Sequence, residues 1–322
     1  MLQVDISIII VNYNTSDYLK KCLPSIFSSN LDANLEVIVV DNHSSDPGLS
    51  GIKKDYPQVK FLDLKENRGF AGGNNAGIQV ACGSIVTLIN PDVEVAKGAI
   101  QILYDKLMSN DKVGIVGPKI YNADYSLQSE VLPREIPKLQ HLFYHFFFLG
   151  KLFTGNIKLN SYYGSRNIDF DEEQFVEQVC GACLMIKKQV ISEIGLMDEN
   201  YFLYFEETDW CLRCLEHGYK MLYVPTATIV HYEGGSAAKQ KKKSIEAFYR
   251  SEIYFFRKNY GVKEAIYLYM LNIIGFTLRH LFAPVYLFRK RGASKVHRFF
   301  WGLLYHLNPV HLMNLIKNKQ AV

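Results

Sequence analysis

The chain has 322 residues, 48% hydrophobic and 21% charged, which suits one large α/β domain with an appendage and excludes a disordered chain. A net charge of +4 is too small to argue for nucleic acid. The basic residues gather in the last third, at Lys239, Lys241, Lys242 and Lys243 and again at Arg289, Lys290, Arg291, Lys295 and Arg298. Met1 to Ile10 has no basic stretch ahead of its apolar run, which reads as a strand and not as a secretory leader, so the expected location is the cytoplasmic side.

Up to about Pro118 strands and helices alternate. Ile6 to Val11 is a β-branched run, Asp17 to Phe27 a helix, Leu35 to Val40 a second strand and Val59 to Leu62 a third. A short helix over Asn74 to Ala81, a strand over Ile85 to Ile89, a helix over 96–109 and a strand over Val113 to Val116 complete the series. This order predicts a mainly parallel, doubly wound sheet. Regularity fades from Lys119 to about Gln178, where an aromatic block occupies 141–148. It returns with a strand over Ala182 to Ile186, helices over 188–194 and 208–217, and short strands at Met221 to Val224 and Thr228 to Val230. The division expected is a catalytic domain over 1–243, with halves of about 1–118 and 119–243, and a helical, aromatic and basic region over 244–322.

Cys180-Gly-Ala-Cys183 and Cys211-Leu-Arg-Cys214 invite a zinc reading. The pairs stand too far apart for a zinc ribbon, one leading into a strand and the other inside an amphipathic helix, so buried thiols are expected instead.

Every strand of the first half ends in polar residues. Val11 leads to Asn12-Tyr13-Asn14, Val40 to Asp41-Asn42-His43, and Ile89 to Asn90-Pro91-Asp92; a Gly/Asn-rich stretch runs from Asn67 to Asn75. Polar strand ends on one edge of a parallel sheet describe a ligand crevice. Proline fixes the backbone ahead of Asp92, whose carboxylate is placed to hold a cation against a ligand; a helix cap is the plainer use of such a residue. The glycines permit close backbone approach and N–H groups aimed at phosphate, or simply turns. No G-x-G-x-x-G follows the first strand and no G-x-x-x-x-G-K-[ST] occurs, which counts against dehydrogenases and P-loop NTPases. Farther on, Glu206-Glu207-Thr208-Asp209 opens a helix and His231 follows a short strand.

In this order, Ser7-Ile-Ile-Ile-Val-Asn-Tyr-Asn14, Val39-Val-Asp-Asn-His-Ser-Ser-Asp46, Asn67-Arg-Gly-Phe-Ala-Gly-Gly-Asn-Asn75, Asn90-Pro-Asp92, Gly181-Ala-Cys183, Met197 through Trp210 and His231-Tyr-Glu-Gly-Gly-Ser236 closely resemble the glycosyltransferase family 2 enzymes, within them the rhamnosyltransferase-like branch. The resemblance covers about Ile6 to Ser236. It implies a GT-A fold, a nucleotide-diphosphate-sugar donor and a divalent metal, Mn²⁺ or Mg²⁺. By position, Asp41 resembles the carboxylate that contacts the donor base, with Asn12 and Tyr13 in the same pocket and Asn42, Arg68, Gly72 and Asn90 lining the donor site. Asp92 stands for the last carboxylate of the family's D-x-D motif as metal ligand, and His231 for the histidine that completes the metal site. Glu207 takes the place where the family usually has an Asp as general base, and Asp209 is the substitute candidate.

The implied reaction is inverting transfer by direct displacement, with a single carboxylate removing the acceptor proton and no second carboxylate as nucleophile. Its donor by resemblance is dTDP-rhamnose, with UDP-sugars as runner-up, and its acceptor a saccharide or lipid-linked saccharide of the cell surface. A sugar nucleotidyltransferase would want a basic glycine-rich loop after the first strand, and a non-catalytic adaptor would have lost the acidic and histidine residues together. The tail, apolar from Ala265 to Phe288 but interrupted by Arg279, His280 and Pro284, is expected to lie on the inner face of the membrane rather than span it. Packing on the catalytic domain or on a second subunit is the alternative.

Overall fold

The structure is a computed structural model that describes residues 4–128, 134–147, 169–232, 241–281, 283 and 292–317. Sequence features at 148, 233–240, 282 and 284–291 lie outside the described residues. The described chain divides into two compact units: Met1–Glu135 with Ile168–Phe202 and Glu206–Lys239, and Ile136–Asn167 with Leu203–Phe205 and Gln240–Val322.

The first unit is built on one mixed sheet. Its strands are β1 (Ile6–Asn12), β2 (Leu35–Asp41), β3 (Lys60–Asp63), β4 (Ile85–Ile89), β5 (Val93–Val95), β6 (Val113–Tyr121), β7 (Gln174–Val176), β8 (Cys183–Lys187) and β9 (Lys220–His231), in the order β3-β2-β1-β4-β8-β6-β9-β5, with β7 also on β9. The helices are α1 (Ser16–Phe27), α2 (Leu49–Asp55), α3 (Gly69–Val80), α4 (Ala99–Met108), α6 (Lys188–Ile194) and α7 (Glu206–Glu216), with α5 left to the second unit. Ile6, Ile8, Ile9 and Ile10, Val37 to Val40 and Ile85 to Ile89 are buried on both sheet faces, as the continuous apolar runs require.

The expected mainly parallel sheet needs correction. β1 runs parallel to β2 and β4, β2 to β3, and β6 to β9, but β8 is antiparallel to both β4 and β6, and β5 and β7 are antiparallel to β9. The run Cys183 to Ile186 is apolar because both its faces are covered, and burial on two faces says nothing of strand direction. The two short strands expected at the end are one strand, β9, whose pairing to β6 slips at Pro118/Lys119, where Val224 gives way to Thr228.

The glycine cluster is helical rather than a loop. α3 begins at Gly69, whose φ of +71° and lack of a side chain let it lie against the Phe202 carbonyl, where a Cβ would sit 2.2 Å away. Gly73 and Gly77 rest directly on Val11 and Ile9, so these glycines set the helix tight on the sheet.

The second unit is helical among its described residues: α5 (Leu139–Phe146), α8 (Lys241–Tyr260), α9 (Val262–Leu281), α10 (Gly292–Leu307) and α11 (Pro309–Lys317). Tyr249, Phe255, Phe256, Leu268, Tyr269, Phe276 and Tyr305 fill its core. The aromatic block contributes to that core, since Phe146 meets the Phe276 ring edge-on and sits over Gly275, while Phe143 stays exposed. No helix among the described residues is long and apolar enough to cross a membrane.

Candidate functional site

The carboxyl ends of β1, β2 and β4 lie side by side because the strands are parallel and in register: Asn12 pairs with Asp41 and Ile9 with Leu88. Asn12 is buried and donates through Nδ2 to Asp41 Oδ1 at 3.2 Å and to Ser44 Oγ at 3.1 Å, while its Oδ1 accepts from Thr15 Oγ1 at 2.8 Å. Those bonds hold Asp41 half-buried at the strand end, beside the half-exposed Tyr13. Asn42 has a different task. Its Nδ2 donates to Asn67 Oδ1 and the Gly69 carbonyl, and its Oδ1 accepts from the Arg68 amide, so its side chain ties the two loops together. Arg68 pairs with Glu199 at 2.8 Å, and Gly72 leaves room for both of those side chains. Asn75 continues this clamp by donating to the Met197 carbonyl at 2.8 Å and to Glu199 Oε1 at 3.0 Å.

Past β4 the chain turns at Asn90-Pro91-Asp92 into β5, which pairs antiparallel with the end of β9 and sets Val93 opposite His231. The Asp92 carbonyl accepts from the Tyr232 amide at 2.9 Å. This register brings the two candidate metal ligands together, with His231 Nε2 3.3 Å from Asp92 Oδ1 and both side chains mostly buried. The ring is oriented from behind. His231 Nδ1 lies 2.9 Å from Gln128 Oε1, while Gln128 Nε2 faces the His231 carbonyl at 3.4 Å, which assigns Oε1 to the ring. An amide oxygen only accepts, so Nδ1 carries a proton, and in the neutral ring Nε2 turns its lone pair on the Asp92 carboxylate. Two acceptors facing each other at that distance fit a cation between them, since two oxygen or nitrogen ligands about 2.1 Å from one ion lie roughly 3 Å apart. A carboxylate and an imidazole, completed by phosphate oxygens and water, are a ligand set that suits Mg²⁺ or Mn²⁺. Among the described residues there is no group of three His, Cys, Asp or Glu that would hold an ion without such ligands.

The acidic run approaches the same turn. The Asn90 amide donates to the Ala182 carbonyl at 2.9 Å, and the neighbouring Gly181 lies so close to Glu207 that an added Cβ would stand 3.4 Å from its Cβ and Cγ. The chain enters α7 through Tyr204 and Phe205, both at φ +70°, a conformation unfavourable for bulky residues that concentrates at functional sites. Burial pushes the Glu207 carboxyl above the usual carboxylate range, opposed by the amide N–H groups of Glu207, Thr208 and Gly181 and the charge of Arg134. Glu206 is pushed well up by its burial and then by the Glu207 charge, and its Oε2 has no hydrogen-bond partner. Both carboxyls are thus pushed up by their burial, and the N–H groups and the Arg134 charge that favour the ionised form bear on Glu207.

Asp209 faces inward. It is 0% exposed, accepts from Arg213 Nε at 2.9 Å and Tyr201 OH at 3.3 Å, and so anchors an arginine that also donates to the Ile194 and Leu196 carbonyls. The cysteines of the two C-x-x-C segments include Cys183, Cys211 and Cys214 as buried thiols, and burial pushes Cys183 and Cys214 up to about 12.

Residues 7–195 match the family model described as glycosyl transferase family 2. This chain belongs to that family. The family 2 chain is 26% identical over 259 residues to the N-acetylglucosaminyl-diphospho-decaprenol L-rhamnosyltransferase of Mycobacterium tuberculosis, covering 77% of this chain and 82% of that one. It is 26% identical over 235 residues to the dTDP-rhamnosyl transferase RfbF of Shigella flexneri, covering 72% and 70%. Among solved structures, GalNAc-T7 with UDP, GalNAc and Mn²⁺ superposes with a TM-score of 0.50 at 16% identity, over 79% of this chain and 50% of that one. That likeness is one of fold and carries the GT-A arrangement that the sequence motifs implied.

Sequence reasoning missed two residues at the site. Gln128 follows a turn at the end of β6, where the Asn122 amide donates to the Ser126 carbonyl, and its amide donates to the Ile120 carbonyl; this return brings it to His231. Arg134 reaches the Glu207 neighbourhood through a bridge between its own backbone and Gln178. Both stand in the stretch of faded periodicity, and no motif marks them.

Proposed function

We propose that this family 2 enzyme is an inverting, metal-dependent glycosyltransferase that moves L-rhamnose from dTDP-rhamnose to a saccharide or lipid-linked saccharide in cell-surface polysaccharide synthesis. The observation that carries this reading is the facing pair Asp92 and His231, joined through the Asn90–Ala182 contact to the turn beside Glu207. The names of the M. tuberculosis and S. flexneri relatives favour a rhamnosyl donor over a UDP-sugar.

In this account Asn12, Tyr13 and Asp41 receive the nucleotide at the strand ends, and Asn42, Arg68 and Gly72 shape the loops around it. The Asn90 side-chain oxygen, buried without a partner, is ready to accept from a donor hydroxyl. Asp92 and His231 would hold Mn²⁺ or Mg²⁺, which when bound supplies charge neutralisation to the leaving diphosphate. Glu207, as a carboxylate, takes the proton from the acceptor hydroxyl as that oxygen attacks the anomeric carbon. The bond to the diphosphate oxygen breaks on the opposite side, so the configuration inverts. Asp209 serves as a structural anchor and not as the base. Residues 1–243 do this chemistry, and 244–322 keep the enzyme at the inner face of the membrane, where a lipid-linked acceptor is found.

The test is turnover of a panel of nucleotide sugars with and without Mn²⁺. Metal-dependent consumption of dTDP-rhamnose above all UDP-sugars supports the reading. A preference for a UDP-sugar removes the rhamnosyl assignment, and release of pyrophosphate from a nucleoside triphosphate with sugar phosphate would indicate a nucleotidyltransferase.

A further inference from the structure

Helix α9 is apolar on both sides: Ala265, Leu268, Tyr269 and Phe276 are buried in the helical core together with the polar Asn272 and Arg279, and its outer face is apolar as well. On the inner side Asn272 is fully buried, donating through Nδ2 to Glu252 Oε2 at 3.0 Å and to His306 Nε2 at 3.1 Å. Tyr269 donates its hydroxyl to the His306 carbonyl, and buried Arg279 donates to the His145 carbonyl at 2.8 Å. On the outer side Tyr267, Met270, Ile274 and Leu281 are 61%, 49%, 45% and 72% exposed. Their spacing of three, four and seven residues puts them on one face, over about 21 Å of helix. Thr277 is the exposed polar residue among them, and no exposed charged side chain occurs from Ala265 to Leu281. A helix that buries one apolar stripe in a globular core and faces water on its other side keeps that other side polar. Within the same unit α10 exposes Phe300, Leu304 and Leu307 at helical spacing.

Charge selects the occupant. Residues 241–322 contain fifteen Lys and Arg, three Glu and no Asp, although the whole chain is only +4. Lys258 and Lys263 stand exposed at the start of the apolar face, and Arg298 beside that of α10. A second copy related by a two-fold axis would bring the same basic rim against itself. The surface of an anionic bilayer meets it with opposite charge and takes amphipathic helices in plane, aromatic and aliphatic side chains sunk to the headgroup level. No described helix needs to cross.

We propose that the outer face of α9 is a docking surface for anionic lipid, with Tyr267, Met270, Ile274 and Leu281 entering the headgroup region while Lys258 and Lys263 contact lipid phosphates. This deepens the membrane-side part of the function proposed above and rests on it for its purpose, but it is measured without donor or acceptor.

The experiment is co-sedimentation of the purified full chain with vesicles of phosphatidylcholine alone or mixed with phosphatidylglycerol. The wild type is expected to pellet with the mixed vesicles at low salt, to be released by high salt, and to remain in the supernatant with neutral vesicles. Met270→Glu with Ile274→Glu should weaken binding at least tenfold, with an unchanged far-ultraviolet circular dichroism spectrum, while Met108→Glu on α4 binds as wild type does. If the first pair fails to fold, Lys258→Glu with Lys263→Glu changes two exposed side chains and should lose binding equally. Wild-type binding by both pairs overturns the proposal, as does a solution dimer that the α9 pair dissociates without loss of vesicle binding. Donor turnover is followed in parallel: its absence in a lipid-binding wild type sinks the transferase reading alone, and its persistence in a non-binding wild type sinks only the docking surface.

Discussion

Replacing Gln128 by Leu removes the acceptor behind His231 while keeping a side chain of similar size in a buried position. The proton on Nδ1 then loses its partner at 2.9 Å, and the ring is free to carry it on Nε2, where the Asp92 carboxylate waits at 3.3 Å. That tautomer closes the cation position with a hydrogen bond to a charged group, worth about 1.5–3 kcal/mol. A bond of that size converts to a loss of roughly 10–150-fold in metal affinity, in line with the 10–100-fold common for groups that orient a metal-bound histidine. The assay is a Mn²⁺ titration read by electron paramagnetic resonance in the presence of nucleoside diphosphate, repeated with donor turnover. The Leu variant should need about 10–100 times more Mn²⁺ and recover most of its rate at saturation, whereas Gln128→Glu, which keeps the acceptor, should titrate near wild type. A Leu variant that titrates like wild type would refute the orientation argument.

Asp92→Ala should abolish transfer and excess EDTA should do the same to the wild type, with His231→Ala less severe because water can replace a neutral ligand; full wild-type activity in EDTA contradicts this. Because burial raises the Glu207 carboxyl and the Arg134 charge holds it down, the acid limb of kcat/KM should lie above the usual carboxylate range, and Arg134→Gln should move it higher; a limb that stays in place speaks against Glu207. His306, held by burial at about 4 against 6.5 in an unfolded chain, stays neutral in the helical unit and accepts from Asn272. The unfolded state therefore binds more protons between those values, so stability is present above pH 6.5 and falls toward pH 4 by about 3 kcal/mol. Urea melts across that range should show this loss for wild type and a flatter profile for His306→Gln; equal profiles would remove His306 as the cause.

Much of the first unit was legible because its signals are local. The β-branched runs of β1, β2 and β4 announce strands buried on both faces, and a polar tripeptide marks where each of them ends. Asp92 and His231 stood out by motif, yet only the antiparallel pairing of β5 with β9 puts them 3.3 Å apart, and β5, three residues long, has no periodicity to read. The direction of β8 was hidden for the same kind of reason, since an apolar run is blind to direction. Asn42 reads as a ligand-loop residue in sequence but spends its amide on Asn67, Arg68 and Gly69. Asp209 reads as a second base until the side chains of Arg213 and Tyr201 are seen on it. In both, the deciding partner is fixed by packing and not by spacing along the chain.

In the proposed mechanism Glu207 takes the acceptor proton while Asp92 and His231 serve the diphosphate end. Glu207→Gln separates these duties, since the amide fills the same space and cannot accept the proton as a carboxylate does. The decisive measurement is nucleotide affinity by calorimetry alongside single-turnover transfer, for this variant and for Asp209→Asn. Glu207→Gln should bind nucleotide and Mn²⁺ as wild type does and transfer sugar about 10²–10⁴ times more slowly, with Asp209→Asn losing stability instead. An active Glu207→Gln beside a folded, nucleotide-binding and inactive Asp209→Asn would contradict it.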